Sequence, residues 1–181
     1  NPSCIDLRNI LVAGNSLTLT TYKFNDKVVQ FPVKSSMQGK LQGSVNALKE
    51  IFPNKTIKTF ELRKSNTSPK ENALHLDCCF QPVGNNKAIL YPGGFLIKDE
   101  CDWLINFFGK ENIFETTKEE MYNMNCNVFS ISENVVVSEK NFSRLNKWLN
   151  SNGFKVEEIK YSEIAKQEGL LRCSTMPLIR N

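Results

Sequence analysis

Apolar and polar positions in the first third of the chain alternate in short runs, the period of strands rather than helices. Strands are predicted over 5–12 and 16–21 around the turn signal Gly14-Asn15, and over 27–31 after a second turn at Asn25-Asp26. The stretch 35–43 is polar and glycine-dotted, which reads as loop. The period then changes. Val45, Leu48, Ile51 and Phe52 lie mostly three or four apart, predicting a helix that ends before Pro53. A strand over 55–62 and a polar loop over 63–72, holding Pro69, complete this part.

The second half repeats the same vocabulary. Strand-like alternation covers 73–80, and 88–91 reads as a strand closed by Pro92-Gly93-Gly94. A helix over 99–108 gathers Trp103, Leu104, Phe107 and Phe108 on one face, and Ile113-Phe114-Glu115 forms a short strand. Thr117 followed by Glu120 has the spacing of a capping box opening another short helix. Strands over 128–131 and 135–138 flank Ser132-Glu133-Asn134. A helix over 141–150 turns Phe142, Leu145, Trp148 and Leu149 inward. Helix, polar turn and strand thus recur three times, the strands centring near Ile57, Ile113 and Val156. Repeats of this size imply α/β units stacked around an axis or along a solenoid.

Composition narrows the class. With 181 residues, 40% of them hydrophobic, the chain can bury one core and is expected to form a single domain over 1–181. The net charge of +4 is spread among mixed pairs such as Lys49-Glu50 and Glu139-Lys140, with no basic stripe, which argues against nucleic-acid binding. No apolar run approaches the roughly 18 residues of a bilayer span, and no signal-peptide pattern is visible. The 6 cysteines include the neighbours Cys78 and Cys79 and lack the spacing of a zinc knuckle or a redox pair, so a reducing, cytoplasmic setting is expected. The chain opens Asn-Pro rather than with Met, as a processed product, a fragment or half of something larger would.

The candidate chemistry lies in two stretches. Cys173 stands between Arg172 and the hydroxyls of Ser174 and Thr175, on a segment that Pro177 keeps extended or turning. A neighbouring cation eases ionisation of a thiol, and the thiolate is the attacking form. A buried, inert cysteine is the plainer alternative. The single histidine, His75, shares a strand face with Asp77 if alternation holds, with Leu74, Leu76 and Cys78 on the other side. A core histidine would read the same way. Thiol, imidazole and carboxylate together form a nucleophile, base and orienter set. A metal site of His75, Asp77 and Cys78 is disfavoured, because alternation sends Cys78 to the opposite face.

His75-Leu76-Asp77 followed by Leu171-Arg172-Cys173-Ser174-Thr175-Met176-Pro177 resembles the pentein superfamily of guanidino-modifying enzymes: arginine deiminases, dimethylarginine dimethylaminohydrolases and amidinotransferases. Bacterial proteins labelled amidinotransferase are the most alike. The likeness runs from about Ile5 to the C-terminus, most strongly from Leu74, and takes in Gln81-Pro82-Val83-Gly84, the stretch 127–132 and the stretch 163–170. It implies a pseudo-fivefold propeller of ββαβ units, with this chain supplying about three of five. It implies a cysteine-dependent amidinotransferase or hydrolase acting on arginine-like substrates, with no metal or cofactor.

Under this resemblance Cys173 adds to the guanidinium carbon and forms a covalent intermediate. His75 protonates the departing amine and then activates the incoming water or amine, while Asp77 holds the guanidinium by charge-assisted hydrogen bonds. Arg172 is expected beside the substrate. Alignment places Asp6 where relatives carry the acid that pairs with the histidine, although Leu7 and Arg8 replace the glycines of their Glu-Gly-Gly-Asp motif. Two features of relatives are missing: a second guanidinium-binding Asp, upstream in them, and an Arg-Thr-Asn segment, where this chain reads Gly39-Lys40-Leu41-Gln42. A propeller lacking its upstream units would leave strand edges open. Either a second chain closes it, or the chain is a catalytically incomplete module for binding or assembly.

Overall fold

The computed structural model describes residues 9–12, 17–20, 22–24, 27–32, 46, 50, 57–65, 67–167 and 169–175. Strands β1 (Asn9–Val12) and β2 (Leu17–Thr20) pair antiparallel, as their alternation predicts. Strand β3 (Tyr22–Phe24) runs antiparallel to β4 (Lys27–Pro32), which in turn pairs parallel with β5 (Ile57–Phe60). A parallel neighbour demands a long crossover. Within this crossover Asn46 and Glu50 are helical; the rest of the helix predicted over 45–52 and the loop over 35–43 lie outside the described residues.

The pattern recurs. Strand β6 (Phe80–Val83) is antiparallel to β7 (Lys87–Leu90); helix α1 (Lys98–Phe108) then crosses over to β8 (Ile113–Glu115), parallel to β7. Helix α2 (Lys118–Tyr122) opens on the expected capping box: Glu120 N donates to Thr117 Oγ1 at 3.2 Å, and Thr117 N donates to Glu120 Oε2 at 2.8 Å. Strand β9 (Phe129–Ser130) is antiparallel to β10 (Val135–Glu139), and helix α3 (Ser143–Ser151) returns the chain to β11 (Lys155–Ile159), parallel to β10. The helix–turn–strand recurrence read from the sequence is therefore the second half of a ββαβ unit seen three times in an α/β chain.

Two apolar clusters share the sheet β6–β7–β8. Ala88 and Leu90 join Phe60, Leu76, Cys79, Phe80, Leu104 and Phe108 in one. Ile89, one position over on β7, joins Cys78, Val136, Leu145, Leu149, Leu170 and Leu171 in the other. That division is the period-2 alternation of a strand buried on both faces. The amphipathic faces predicted for both helices hold: Leu104 and Phe108 of α1 and Leu145 and Leu149 of α3 are buried, with Trp103 and Trp148 packed beside them. Arg144 ties the second unit to the third. Its guanidinium lies 4.1 Å from the Phe114 ring centre and donates to Glu120 Oε1 at 2.8 Å and to the Glu115 carbonyl at 2.7 Å.

One predicted strand is not a strand. Over 73–80 only Phe80 is extended in a ladder; Leu76, Asp77 and Cys78 form a 3-10 turn entered from an extended His75. The alternation of Leu, His, Leu, Asp and Cys imitates a pleat. The burial of Leu76 and Cys79 in one cluster and of Cys78 in the other instead demands a tight turn at the head of β6. At the tail of β6, Gly84 adopts φ +59, where a Cβ would meet the Phe154 ring at 2.8 Å and the Glu133 carbonyl at 2.9 Å.

Candidate active site

Two irregular segments meet at the junction of the clusters: the 3-10 turn at 76–78 and the closing turn at 171–174. Upstream of the first, the Lys64 ammonium is bound to the carbonyls of Ala73 and Leu74, which fixes the approach to His75. The second follows helix α4 (Ser162–Ala165) and is tied back on itself: Ser174 Oγ donates to the Leu170 carbonyl at 2.6 Å and Thr175 Oγ1 to the Leu171 carbonyl at 2.8 Å. Buried Leu170 and Leu171 anchor the turn in the core, and Cys173 is left exposed at its surface. Gly169 makes room for it, since a Cβ there would stand 2.9 Å from Cys173 Cβ.

His75, Asp77 and Cys173 come together. Asp77 is buried and central: Nδ1 of His75 lies 4.0 Å from Oδ1, and Cys173 Sγ donates to Oδ2 at 3.7 Å. Among the described residues Oδ1 accepts no hydrogen bond. A buried carboxylate oxygen without a donor favours a cationic donor able to reach it. Arg172, expected beside the substrate, is instead buried, with Nη1 donating to the Thr175 carbonyl at 3.4 Å across the turn. Asp6 lies outside the described residues.

The electrostatics correct one expectation. A cation beside Cys173 should ease its ionisation, yet burial of the sulfur, and after it the Asp77 charge, pushes the thiol up to about 11. Arg172 does not offset them. At rest Cys173 is a thiol. Burial also holds the His75 imidazolium below its usual range; the Asp77 carboxylate works against that shift and Lys64 adds to it, so the imidazole is neutral at pH 7.

The exclusion of Cys78 from this neighbourhood is likewise overturned. On a 3-10 turn its sulfur is not thrown to an opposite face, and ligand atoms of His75, Asp77 and Cys78 all lie within 4.8 Å of one another. As metal donors they are still poorly prepared. Burial and the Asp77 charge raise the Cys78 thiol well above 9, and metal binding needs its thiolate. A cavity of about 480 Å³ backs onto Cys78 and is bordered by Asn72 and Leu74 before His75 and by Glu163 and Lys166 before Cys173.

One residue of the site received no role from the sequence. Asn127, fully buried before β9, reaches both turns. Its Oδ1 accepts from Leu170 N at 2.9 Å and Cys173 N at 3.2 Å, and its Nδ2 donates to Cys173 Sγ at 3.2 Å and to the Asp77 carbonyl at 3.4 Å. The available signal was an amide inside the apolar run Cys126-Asn127-Val128-Phe129, since a buried amide must find partners.

Similarity to known proteins follows the same lines. The arginine deiminase family matches residues 103–180. The protein YkgA of Bacillus subtilis is 31% identical over 137 residues, covering 76% of this chain and 44% of YkgA. The bifunctional arginine dihydrolase/ornithine cyclodeaminase AgrE of a Nostoc species is 30% identical over 107 residues, 59% of this chain and 15% of AgrE. Among solved structures, the N-terminal domain of the cyanobacterial arginine dihydrolase ArgZ superposes with a TM-score of 0.62 at 18% identity, over 81% of this chain and 48% of that one. The amidinotransferase SxtG of Microseira wollei superposes with a TM-score of 0.61 at 17% identity, over 86% and 45%. The fold is that of these arginine- and amidine-modifying neighbours. These likenesses support a relation to the pentein superfamily over part of the chain, which spans less than half the length of these relatives.

Proposed function

We propose that this chain carries the nucleophile half of a cysteine-dependent enzyme acting on guanidino compounds such as arginine, as an amidinotransferase or as a hydrolase of the deiminase kind. The observation that carries the proposal is the buried Asp77 carboxylate, set between His75 Nδ1 and Cys173 Sγ with Oδ1 lacking a donor. The three ββαβ units are read as about three of the five in a propeller, the rest coming from further sequence or from a second chain. Its relatives' greater length supports this.

The chemistry follows from the resting protonation states. A guanidinium that donates to Asp77 removes the acceptor of the Cys173 S–H and cancels the charge that opposed ionisation. Neutral His75 is able to take the proton. The thiolate adds to the guanidinium carbon, forming a C–S bond; the proton held by His75 then passes to the departing nitrogen as the C–N bond breaks, releasing a neutral amine. Water or a second amine then attacks the carbon, and Cys173 leaves. Asp6 is assigned to pairing with His75, and Arg172 to holding the closing turn at the substrate's edge.

Intact mass after incubation with a chloroacetamidine, an amidinium that traps an activated thiolate, tests this reading. One adduct mapped to Cys173 and blocked by arginine is expected. A folded protein that forms none would favour the second reading, a binding or assembly module that keeps the fold without turnover, for which the protonated resting thiol speaks.

A further inference from the structure

We infer that Asn127 is a further catalytic residue: its amide N–H is the donor that holds the Cys173 sulfur as a thiolate once substrate has taken over Asp77. The proposal rests on the reading of Cys173 as the nucleophile.

The orientation of the amide is fixed by its partners. Two backbone N–H groups, Leu170 and Cys173, converge on one end, which must be the oxygen; the other end, facing Cys173 Sγ and the Asp77 carbonyl, is then the NH2 group. The main chain of Asn127 adds a contact of its own, its carbonyl accepting from Arg172 N at 3.2 Å. The residue thus has two separable functions. Through Oδ1 and its carbonyl it fixes the closing turn. Through Nδ2 it addresses the sulfur.

Two side chains therefore make opposite demands on the sulfur, and the Leu170 backbone adds a smaller contact on the thiolate's side. Asp77 Oδ2 accepts the S–H and stabilises the thiol, whereas Asn127 donates to sulfur and stabilises the thiolate. When a guanidinium occupies Asp77, the first demand lapses and the second remains. Among the described residues no acceptor other than sulfur competes for that N–H apart from the 3.4 Å Asp77 carbonyl, which the second hydrogen of the NH2 group serves. A donor buried beside the sulfur also needs no reorganisation from water when charge develops.

The test separates donor from anchor. Asn127→Asp keeps the oxygen that accepts from Leu170 and Cys173 but replaces the donor by a second carboxylate. The readout is the rate of Cys173 alkylation by iodoacetamide between pH 7.5 and 10, followed by peptide mass, which reads the thiol without requiring turnover. At pH 9 Asn127→Asp is expected to lower this rate well beyond tenfold, with the profile displaced alkaline by about two pH units, about one from the lost hydrogen bond and about one from the added charge. Asn127→Ser, neutral and too short to reach the sulfur, isolates the donor, and a displacement of about one pH unit is expected from the lost hydrogen bond alone. A folded Asn127→Ser whose Cys173 profile matches the parent, or an Asn127→Asp displaced by no more than about one pH unit, would overturn the inference and leave Asn127 as an anchor only. Loss of chloroacetamidine trapping in the parent protein, with the Asn127-dependent profile intact, would instead overturn the guanidino reading and not this one.

Discussion

Replacing Asp77 by Asn should move two reagents in opposite directions, which distinguishes a substrate-binding carboxylate from a structural one. A thiolate on Cys173 would stand 3.7 Å from a full negative charge. At that distance repulsion amounts to about 1 kcal/mol in water-like surroundings and 4–5 kcal/mol at an effective dielectric near 20. Although the sulfur is partly screened from solvent, the Cys173 residue as a whole is exposed, so water tempers the repulsion and a figure near the lower end applies, about one pH unit. Asp77→Asn should therefore bring the thiol from about 11 towards about 10. At pH 8 the thiolate fraction rises about tenfold, and each thiolate is about threefold less nucleophilic, so iodoacetamide should react about threefold faster. Chloroacetamidine carries an amidinium that loses its partner, and should react at least about tenfold more slowly. Peptide mapping of Cys173 after timed exposure to each reagent reads both rates. If both slow in parallel in a folded protein, or if iodoacetamide is indifferent to the substitution, Asp77 does not oppose the thiolate and the reasoning fails.

Gly169→Ala should place a methyl group 2.9 Å from Cys173 Cβ and abolish chloroacetamidine trapping while circular dichroism stays unchanged. His75 binds its proton less readily folded than unfolded, so stability should fall as pH drops below the unfolded value of about 6.5; His75→Gln should flatten that slope in melting curves from pH 7.5 to 5. Leu149→Ala removes a fully buried side chain of α3 and should cost about 2–5 kcal/mol in urea denaturation. Thr117→Ala deletes the cap of α2 and should cost about 1 kcal/mol by the same measurement.

The regular parts of this fold are written locally. The apolar faces of α1 and α3, the Thr117–Glu120 cap and the strand at Ile113–Glu115 all follow from spacing within a few residues. The site was half legible. Proximity of His75 to Asp77 followed from the sequence although the reason did not, since a strand face and a 3-10 turn both bring positions two apart near each other. What failed depends on contacts far along the chain. Cys173 meets Asp77 across 96 positions, and it is burial, and after it the Asp77 charge, that raises its thiol, while the adjacent Arg172 turns inward to its own turn. Asn127 lies 46 positions from Cys173, and no local period could announce that pairing.

Consecutive residues Cys78 and Cys79 are rooted in different cores, with Asp77 immediately ahead of them. The Asp77 carboxylate and the Cys173 sulfur therefore sit on a seam between the two cores. A shift of one unit against the other by a fraction of an ångström changes the carboxylate–sulfur gap without touching either group. Reactivity in such a design can drift through substitutions at Leu104 or Leu145, deep in opposite cores, as readily as through the site itself. Any chemistry run from this seam would be tuned by the packing between the two cores.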